Sequence, residues 1–246
     1  MNAGAGAAPA PRGCSALRGT PESLAGSAPQ EPAPQGRTAR LLAAAAEEVE
    51  ASAGARLIRQ IIAGDLDEAA YARYLQVEED FVRTAARVLG MAVWDAPDWS
   101  ALTRHAAALH ALVTEQTDYF AQARREWPVR AGLGPQARAQ AEGLSEVVLD
   151  QARAHGYPAV VTGMLAAEHL YLTWCTRALE NPVQRPKAVQ EWIELHTRSP
   201  FTDQVEVLRA EVDGLPGSIP DEQLKSWFVA VLREEIRFHD AACLEG

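Results

Sequence analysis

The chain has 246 residues, 48% of them hydrophobic, a formal net charge of −10, and three cysteines, Cys14, Cys175 and Cys243. The acidic excess without any basic stripe argues against nucleic-acid binding, and an odd cysteine count without metal-like spacing indicates a reducing compartment and no disulfide framework. No apolar run approaches the roughly 20 residues that a membrane span needs, and the N-terminus lacks a secretory signal pattern, so we expect a cytoplasmic protein that does not bind membranes.

The first 37 residues differ in composition from the rest of the chain. They are rich in Ala, Pro, Gly and Ser and contain almost no large apolar residue. Such a segment cannot bury enough apolar surface to offset the entropy lost on ordering. The sequence therefore predicts a disordered tail over 1–37 and a single domain over 38–246.

Apolar residues recur with helical spacing throughout this domain, and no segment shows a strand-like alternation. Asp65 or Asp67 is expected to cap the long third helix, and Gly90 to end it. The pattern predicts an all-α fold of seven to nine helices, near 38–53, 55–63, 67–90, 99–126, 135–154, 157–180, 186–197, 200–213 and 221–243.

Three glutamates occupy positions where a helix would normally bury an apolar side chain. Glu78, Glu168 and Glu235 lie at offsets of three, four and seven from apolar residues, which places each on the core-facing side of its helix. A buried carboxylate is costly and its pKa rises, so such groups usually have a function. Each is followed three residues later by an aromatic residue: Phe81, Tyr171 and Phe238. The pattern indicates a polar pocket with aromatic walls.

One interpretation of inward-facing glutamates in a helical bundle is a di-metal site. Such sites usually take Glu-x-x-His from two helices, whereas none of these three glutamates has His at the third position after it. A non-haem di-iron oxidase still stays open as an alternative, with the ligands Glu78, Glu168, Glu235, His196 and His239. A nucleophilic Cys175 has less support, because a free buried cysteine usually packs as a small hydrophobic residue.

A second interpretation is a pocket for a flat, nitrogen-rich ring. Carboxylates accept hydrogen bonds from ring amino groups, aromatic side chains stack on the ring, and a carboxylate of raised pKa can activate water. A purely structural interpretation is that the glutamates cap helix ends or pair with arginines such as Arg177 or Arg237. Three carboxylates in similar settings favour the pocket, because perturbed carboxylates cluster at functional sites.

Four segments together resemble the TenA/thiaminase-II family. They are YARYLQVEEDFV (71–82), AAEHLYLTW (166–174), VQEWIELHTRSPF (189–201) and EEIRFHDAA (234–242). Their order and spacing hold over about residues 40–243. The resemblance implies a haem-oxygenase-like (TenA-like) helical bundle without haem, and a homo-oligomer, either a dimer or a tetramer.

The resemblance also implies roles for single residues. Glu168 stands at the catalytic position, where the commoner branch has Cys, and Glu235 matches a C-terminal catalytic glutamate. Glu78 stands at the position of the family's pyrimidine-binding Asp, and His196 stands where the family often has Tyr. The implied substrate-binding residues are Glu78, Phe81, Tyr171, His196, Tyr74 and Phe238. The chain departs from the family at Val77, Glu78, His196 and His239.

The resemblance predicts a cofactor-free hydrolase of thiamine-salvage type, acting on an amino- or formylamino-pyrimidine. The branch with Glu at the catalytic position is associated with salvage of aminopyrimidines rather than with cleavage of thiamine. Two alternatives remain: the di-iron oxidase, and a non-catalytic pyrimidine-binding regulator, since some relatives were first named as transcriptional regulators.

Overall fold

In this computed structural model, residues 36–128 and 132–244 are described, with the side chains of 115–118 and 126 left aside. These ranges contain helices and no strand, which confirms the all-α prediction. The ten helices are α1 Arg37–Ala44, α2 Ala46–Ala53, α3 Arg56–Ala63, α4 Glu68–Trp94, α5 Trp99–Glu126, α6 Pro135–His155, α7 Tyr157–Glu180, α8 Lys187–Leu195, α9 Phe201–Asp213 and α10 Asp221–Ala241.

The predicted count of seven to nine helices is wrong by one within the described ranges. The helix expected over 38–53 is broken at Ala45, whose φ of −108° and ψ of 14° interrupt it between α1 and α2. The predicted disordered tail lies outside the described residues except for Gly36 and Arg37. Arg37 begins α1, and its Nε donates to Asp221 Oδ1 at 2.7 Å.

The ends of α4 show which sequence signals decide a helix boundary. Asp67 caps its N-terminus, and its Oδ1 accepts from the backbone nitrogen of Ala69 at 2.9 Å. The predicted stop at Gly90 is wrong, because α4 continues to Trp94. A glycine inside a helix costs only about 1 kcal/mol, and the next turn buries Ala92 completely.

Tight breaks between helices depend on two glycines with positive φ. Gly64 ends α3 at φ 75°, and Gly156 joins α6 to α7 at φ 62°. A side chain at Gly64 would also come within 2.8 Å of Val183. The Gly156 junction folds α6 back along α7, so that the two long helices pack against each other.

Helix α7 lies at the centre of the bundle. It packs against α10, α9, α6, α4, α3, α8 and α2, while α4 packs along α5. The largest fully buried side chains include Trp174 and Leu165 on α7 and Phe228 on α10. A rigid core around α7 therefore fixes how the faces of α4, α7 and α10 meet.

A polar cluster joins α5 to α9 and to the start of α7. Glu211 on α9 contacts Arg104 Nη2 at 2.8 Å and His105 Nε2 at 3.2 Å. His105 is 1% exposed and its Nε2 lies 3.1 Å from the hydroxyl of Tyr157. We call these four residues the Glu211 cluster.

Across the described residues, none of the helices combines the length and the apolar character that crossing a membrane requires.

Candidate active site

Three carboxylates from three helices meet at one cavity. Glu78 on α4, Glu168 on α7 and Glu235 on α10 all line a cavity of about 140 Å³. Four further residues expected at the site line the same cavity: Phe81, Tyr171, His196 and Phe238. Tyr74 does not line it, although its hydroxyl bonds to that of Tyr171. The structure thus brings together residues that are up to 160 positions apart in the sequence.

Two tyrosines hold Glu78 in place. The Tyr171 hydroxyl donates to Glu78 Oε1, and the Tyr74 hydroxyl donates to the Tyr171 oxygen at 2.9 Å. Burial raises the pKa of Glu78, and the Tyr171 hydroxyl, with the Tyr74 hydroxyl behind it, opposes part of that rise. The Tyr171 bond therefore fixes the position of the Glu78 carboxyl, which lines the cavity.

The carboxyl group of Glu168 has no hydrogen-bond partner among the described residues. Burial alone raises the pKa of its carboxyl to about 7. A carboxyl group of that pKa is close to half ionised at neutral pH. Glu168 can therefore accept a proton there, which is what a general base must do.

Glu235 is the most deeply buried of the three carboxyls, at 2% exposed. Its pKa is raised well above its usual value, first by burial and then by the charges of Glu78 and Glu168. Its Oε2 has no hydrogen-bond partner among the described residues and lies 3.5 Å from His239 Nδ1. Glu235 therefore holds its proton more strongly than a glutamate in water does, which suits it to act as a proton donor.

His196 is a neutral acceptor at the cavity wall. Its Nδ1 lies 2.7 Å from the backbone oxygen of Trp192. A carbonyl oxygen can only accept, so Nδ1 carries the proton. Burial lowers the pKa of His196 to about 4, which leaves Nε2 unprotonated at neutral pH. Nε2 can therefore accept a hydrogen bond from a ligand.

His239 has the same arrangement but lies deeper. Its Nδ1 donates to the backbone oxygen of Glu235 at 2.7 Å, and burial lowers its pKa to about 4. The ring stacks on Tyr74 with centroids 5.6 Å apart. His239 is thus neutral at pH 7, and its contact with Glu235 is not an ion pair.

Aromatic rings form the walls between the carboxylates. Phe81 and Phe238 meet edge to face with centroids 5.4 Å apart. The Tyr171 ring lies 5.1 Å from the His196 ring. Trp192 also lines the cavity, 4.3 Å from the same imidazole, and the sequence analysis did not include it among the site residues. Its position four residues before His196, on the same helix face, is the signal that could have identified it.

The charge of the lining is one-sided. Among the described residues that line the cavity there is no Lys or Arg. Carboxylate oxygens and His196 Nε2 offer acceptors, while Glu235 and Trp192 Nε1 offer donors. The cavity therefore suits a flat ligand that carries amino groups or a positive charge.

The structural interpretation with arginine partners is wrong. Arg177 pairs with Glu50 at 2.5 Å, and Arg237 pairs with Glu234 at 3.5 Å. Cys175 is fully buried and does not line the cavity, and burial raises the pKa of its thiol. The cysteine-nucleophile interpretation therefore gains no support from the geometry.

The di-iron interpretation also gains no geometric support. Within the described ranges, no three His, Cys, Asp or Glu side chains form a group that could hold a metal ion. The Nδ1 atoms of His196 and His239 are bonded to backbone oxygens, and Glu78 is bonded by Tyr171.

Comparison with solved structures shows which fold this is. A TenA homologue from Pyrococcus furiosus matches 84% of this chain and 99% of its own at a TM-score of 0.74, with 17% identity. A TenA family transcription regulator from Silicibacter matches 85% and 97% at a TM-score of 0.72, with 15% identity. A protein named a TenA-like thiaminase, from Sulfolobus solfataricus, matches 83% and 94% at a TM-score of 0.64, with 16% identity. The predicted TenA-like fold is confirmed.

No model of a protein family matches the sequence, and no curated protein matches it either. At identities of 15–17% the similarity shows the fold alone.

Proposed function

We propose that this protein is a hydrolase that breaks the bond between carbon and an exocyclic nitrogen of a pyrimidine-like ring, by acid–base catalysis without a cofactor. One observation carries the proposal. Glu168, with a pKa of about 7, and Glu235, whose pKa is raised well above its usual value by deeper burial and by the charges of Glu78 and Glu168, line the same cavity. Two carboxyls whose pKa values differ in this way can serve as base and acid in one reaction.

Recognition of the ring rests on two fixed acceptors. Tyr171 holds the Glu78 carboxyl at the cavity wall through Oε1, while the backbone oxygen of Trp192 fixes the tautomer of His196. An amino-substituted ring presents N–H donors along one edge, which can match these acceptors. Phe81, Phe238 and the Tyr171 ring supply apolar surface for the ring faces.

The proposed step moves two protons. Glu168 takes a proton from water as the water oxygen bonds to the carbon that carries the departing nitrogen. The carbon–nitrogen bond breaks, and Glu235 gives its proton to that nitrogen, which leaves as ammonia or an amine. Glu168 then holds a proton and Glu235 is ionised, and transfer of one proton through solvent or product restores both.

The fold of the chain supports this proposal. One of them is named a TenA-like thiaminase, and this chain shares its fold. The residues that the sequence resemblance assigns to catalysis, Glu168 and Glu235, lie in this chain's cavity. Salvage of amino- or formylamino-pyrimidines is therefore the reaction that we would test first.

The test compares wild-type protein with Glu168→Gln and Glu235→Gln, measuring ammonia or formate release from amino- and formylamino-pyrimidines and ligand affinity by calorimetry. We expect each variant to lose at least about 100-fold in kcat while affinity stays within a few-fold. Glu234→Gln is the matched control, because Glu234 is next to Glu235 but does not line the cavity. Unchanged turnover in Glu168→Gln would refute the assignment of Glu168 as the general base.

A non-catalytic ligand-binding role is the second candidate, because a protein of this fold is named a transcription regulator. The same experiment separates the two functions. Calorimetric binding of pyrimidines without any product release from wild-type protein would favour the binding role.

A further inference from the structure

A second cavity adjoins the candidate active site at Glu168. It has a volume of about 130 Å³ and shares five lining residues with the first cavity: Phe81, Ala85, Leu112, Ala167 and Glu168. We call this second cavity the annex. A ligand that reacts at Glu168 sits at the junction of the two spaces.

The annex differs from the first cavity in its chemistry. Its remaining wall is formed mainly by aliphatic side chains, among them Val88, Leu89, Val148, Val160 and Met164. Among the described residues that line it, only Glu168 and Gln151 have polar side chains, and Gln151 Nε2 donates to the backbone oxygen of Trp227 at 3.4 Å. A water molecule in the annex would find few hydrogen-bond partners, so an apolar group is the favoured occupant.

The size of the annex limits the occupant. A buried cavity of about 150 Å³ with aliphatic and aromatic walls stays dry and binds benzene. The annex has a similar volume, about 130 Å³. It can therefore take a branched alkyl group or a single phenyl ring, and a fused ring system is too large.

We infer that the substrate is an amino- or amido-substituted ring with an apolar arm, and that this arm occupies the annex. The assignment of the reacting nitrogen rests on the proposed function, whereas the assignment of an apolar arm rests on the annex alone. The acceptors of the first cavity hold the polar edge of the ring. Because the annex opens beside Glu168, the arm is attached at the attacked carbon or at the ring atom next to it.

The test uses three 4-aminopyrimidines that carry hydrogen, isobutyl or benzyl at the ring carbon next to the amino-bearing one. Affinity is measured by calorimetry, so the result does not depend on turnover. We expect both substituted rings to bind wild-type protein at least about tenfold more tightly than the unsubstituted ring. Equal or weaker binding of both substituted rings would overturn the inference.

Val148→Phe fills the annex from α6, and Met164→Trp fills it from α7, so each variant checks the other if one fails to fold. In either variant we expect the substituted rings to bind less than about twofold more tightly than the unsubstituted ring, whose own affinity should not change. Val113→Phe is the control, because Val113 is 47% exposed and does not line the annex. A gain that persists in both filled variants would show that the arm binds elsewhere.

If no pyrimidine binds at all, the proposed function fails, and the annex is tested with benzene alone. A rise in Tm that Val148→Phe or Met164→Trp abolishes would support the annex as an apolar subsite. The absence of any such rise would overturn it as well.

Discussion

Tyr171 on α7 donates its hydroxyl to Glu78 on α4, and Tyr74 donates in turn to Tyr171. This relay ties the binding carboxylate to the helix that carries Glu168, so the two carboxylates keep a fixed relation. A short polar chain in a closed cavity is strong when every member is bonded and costly when one member is removed.

Tyr171→Phe is therefore expected to weaken ligand binding and to destabilise the fold. It leaves a buried oxygen of Glu78 without its donor, which costs about 1–3 kcal/mol in the free energy of unfolding at pH 8. Burial has already raised the pKa of Glu78, and loss of the donor raises it further. Denaturant unfolding and calorimetric affinity at pH 8 give the two readouts.

Tyr74→Phe is the matched control for this prediction, because it preserves the direct bond from Tyr171 to Glu78. We expect the free energy of unfolding to fall by a smaller amount, about 0.5–1.5 kcal/mol. Equal losses in both variants would show that Tyr74 and Tyr171 act only through packing.

The pH dependence of kcat/KM is expected to report Glu168. The rate should rise with pH through a midpoint near 7, because Glu168 must be ionised to act as a base and burial raises its pKa to about 7. A glutamate in water would give a midpoint near pH 4.3. The pH profile of pyrimidine hydrolysis, measured from pH 4.5 to 9, checks this.

His196→Asn distinguishes Glu168 from the nearest imidazole. Since burial lowers the pKa of His196 to about 4, removing it should raise KM and leave the midpoint near pH 7. Disappearance of that midpoint in His196→Asn would assign it to the histidine and contradict the role of Glu168.

Glu168→Gln is expected to stabilise the protein, and more so at alkaline pH. The folded pKa of Glu168, about 7, lies above its unfolded value of 4.5. Below pH 4.5 both states are protonated, so burial of the carboxyl carries no ionisation cost. As the pH rises towards 7, the unfolded state gives up the proton first, and folding stability falls until it levels off above pH 7.

Glu168→Gln should therefore increase the free energy of unfolding by an amount on the order of 2 kcal/mol at pH 8 and close to zero at pH 4.5. Denaturant unfolding at the two pH values measures it, with Glu234→Gln as the control. A gain that does not change with pH would mean that the Glu168 carboxyl titrates as it does in water.

The Glu211 cluster offers a prediction about folding that is separate from the site. Burial alone would raise the pKa of Glu211, but hydrogen bonds from His105 and Arg104 bring it below the usual value. Glu211→Ala leaves His105 buried without its carboxylate partner. We expect the free energy of unfolding to fall by about 2–4 kcal/mol at pH 7, with ligand affinity unchanged.

The sign of its pH dependence is opposite to that of Glu168. A lowered folded pKa means that the contribution of Glu211 is present above its unfolded value of 4.5 and is lost as the pH falls through the folded value. Glu206→Ala is the control on the same helix, because Glu206 is 66% exposed in its pair with Arg209 and should cost less than about 1 kcal/mol. Similar losses in both variants at pH 7 would refute the role of the cluster.

The sequence by itself determined the helices and the inward faces of the three glutamates. Both follow from a periodicity of 3.6 residues, which is local and can be read within one helix. Local signals predicted helix ends less well. Gly90, the predicted end of α4, lies inside that helix, and Ala45 interrupts the segment 38–53 that was predicted to be one helix. At both positions the packing of neighbouring turns outweighed the propensity of a single residue.

Only the tertiary structure decided what the glutamates contact and which of them hold protons. The Tyr171–Glu78 bond joins residues 93 positions apart, and it depends on the relative register of α4 and α7. The different pKa values of Glu168 and Glu235, the place of Trp192 in the wall and the annex beside Glu168 depend on the same register. Side-chain packing between helices sets that register, because periodicity fixes which face of a helix is buried but not which residue of the next helix it meets.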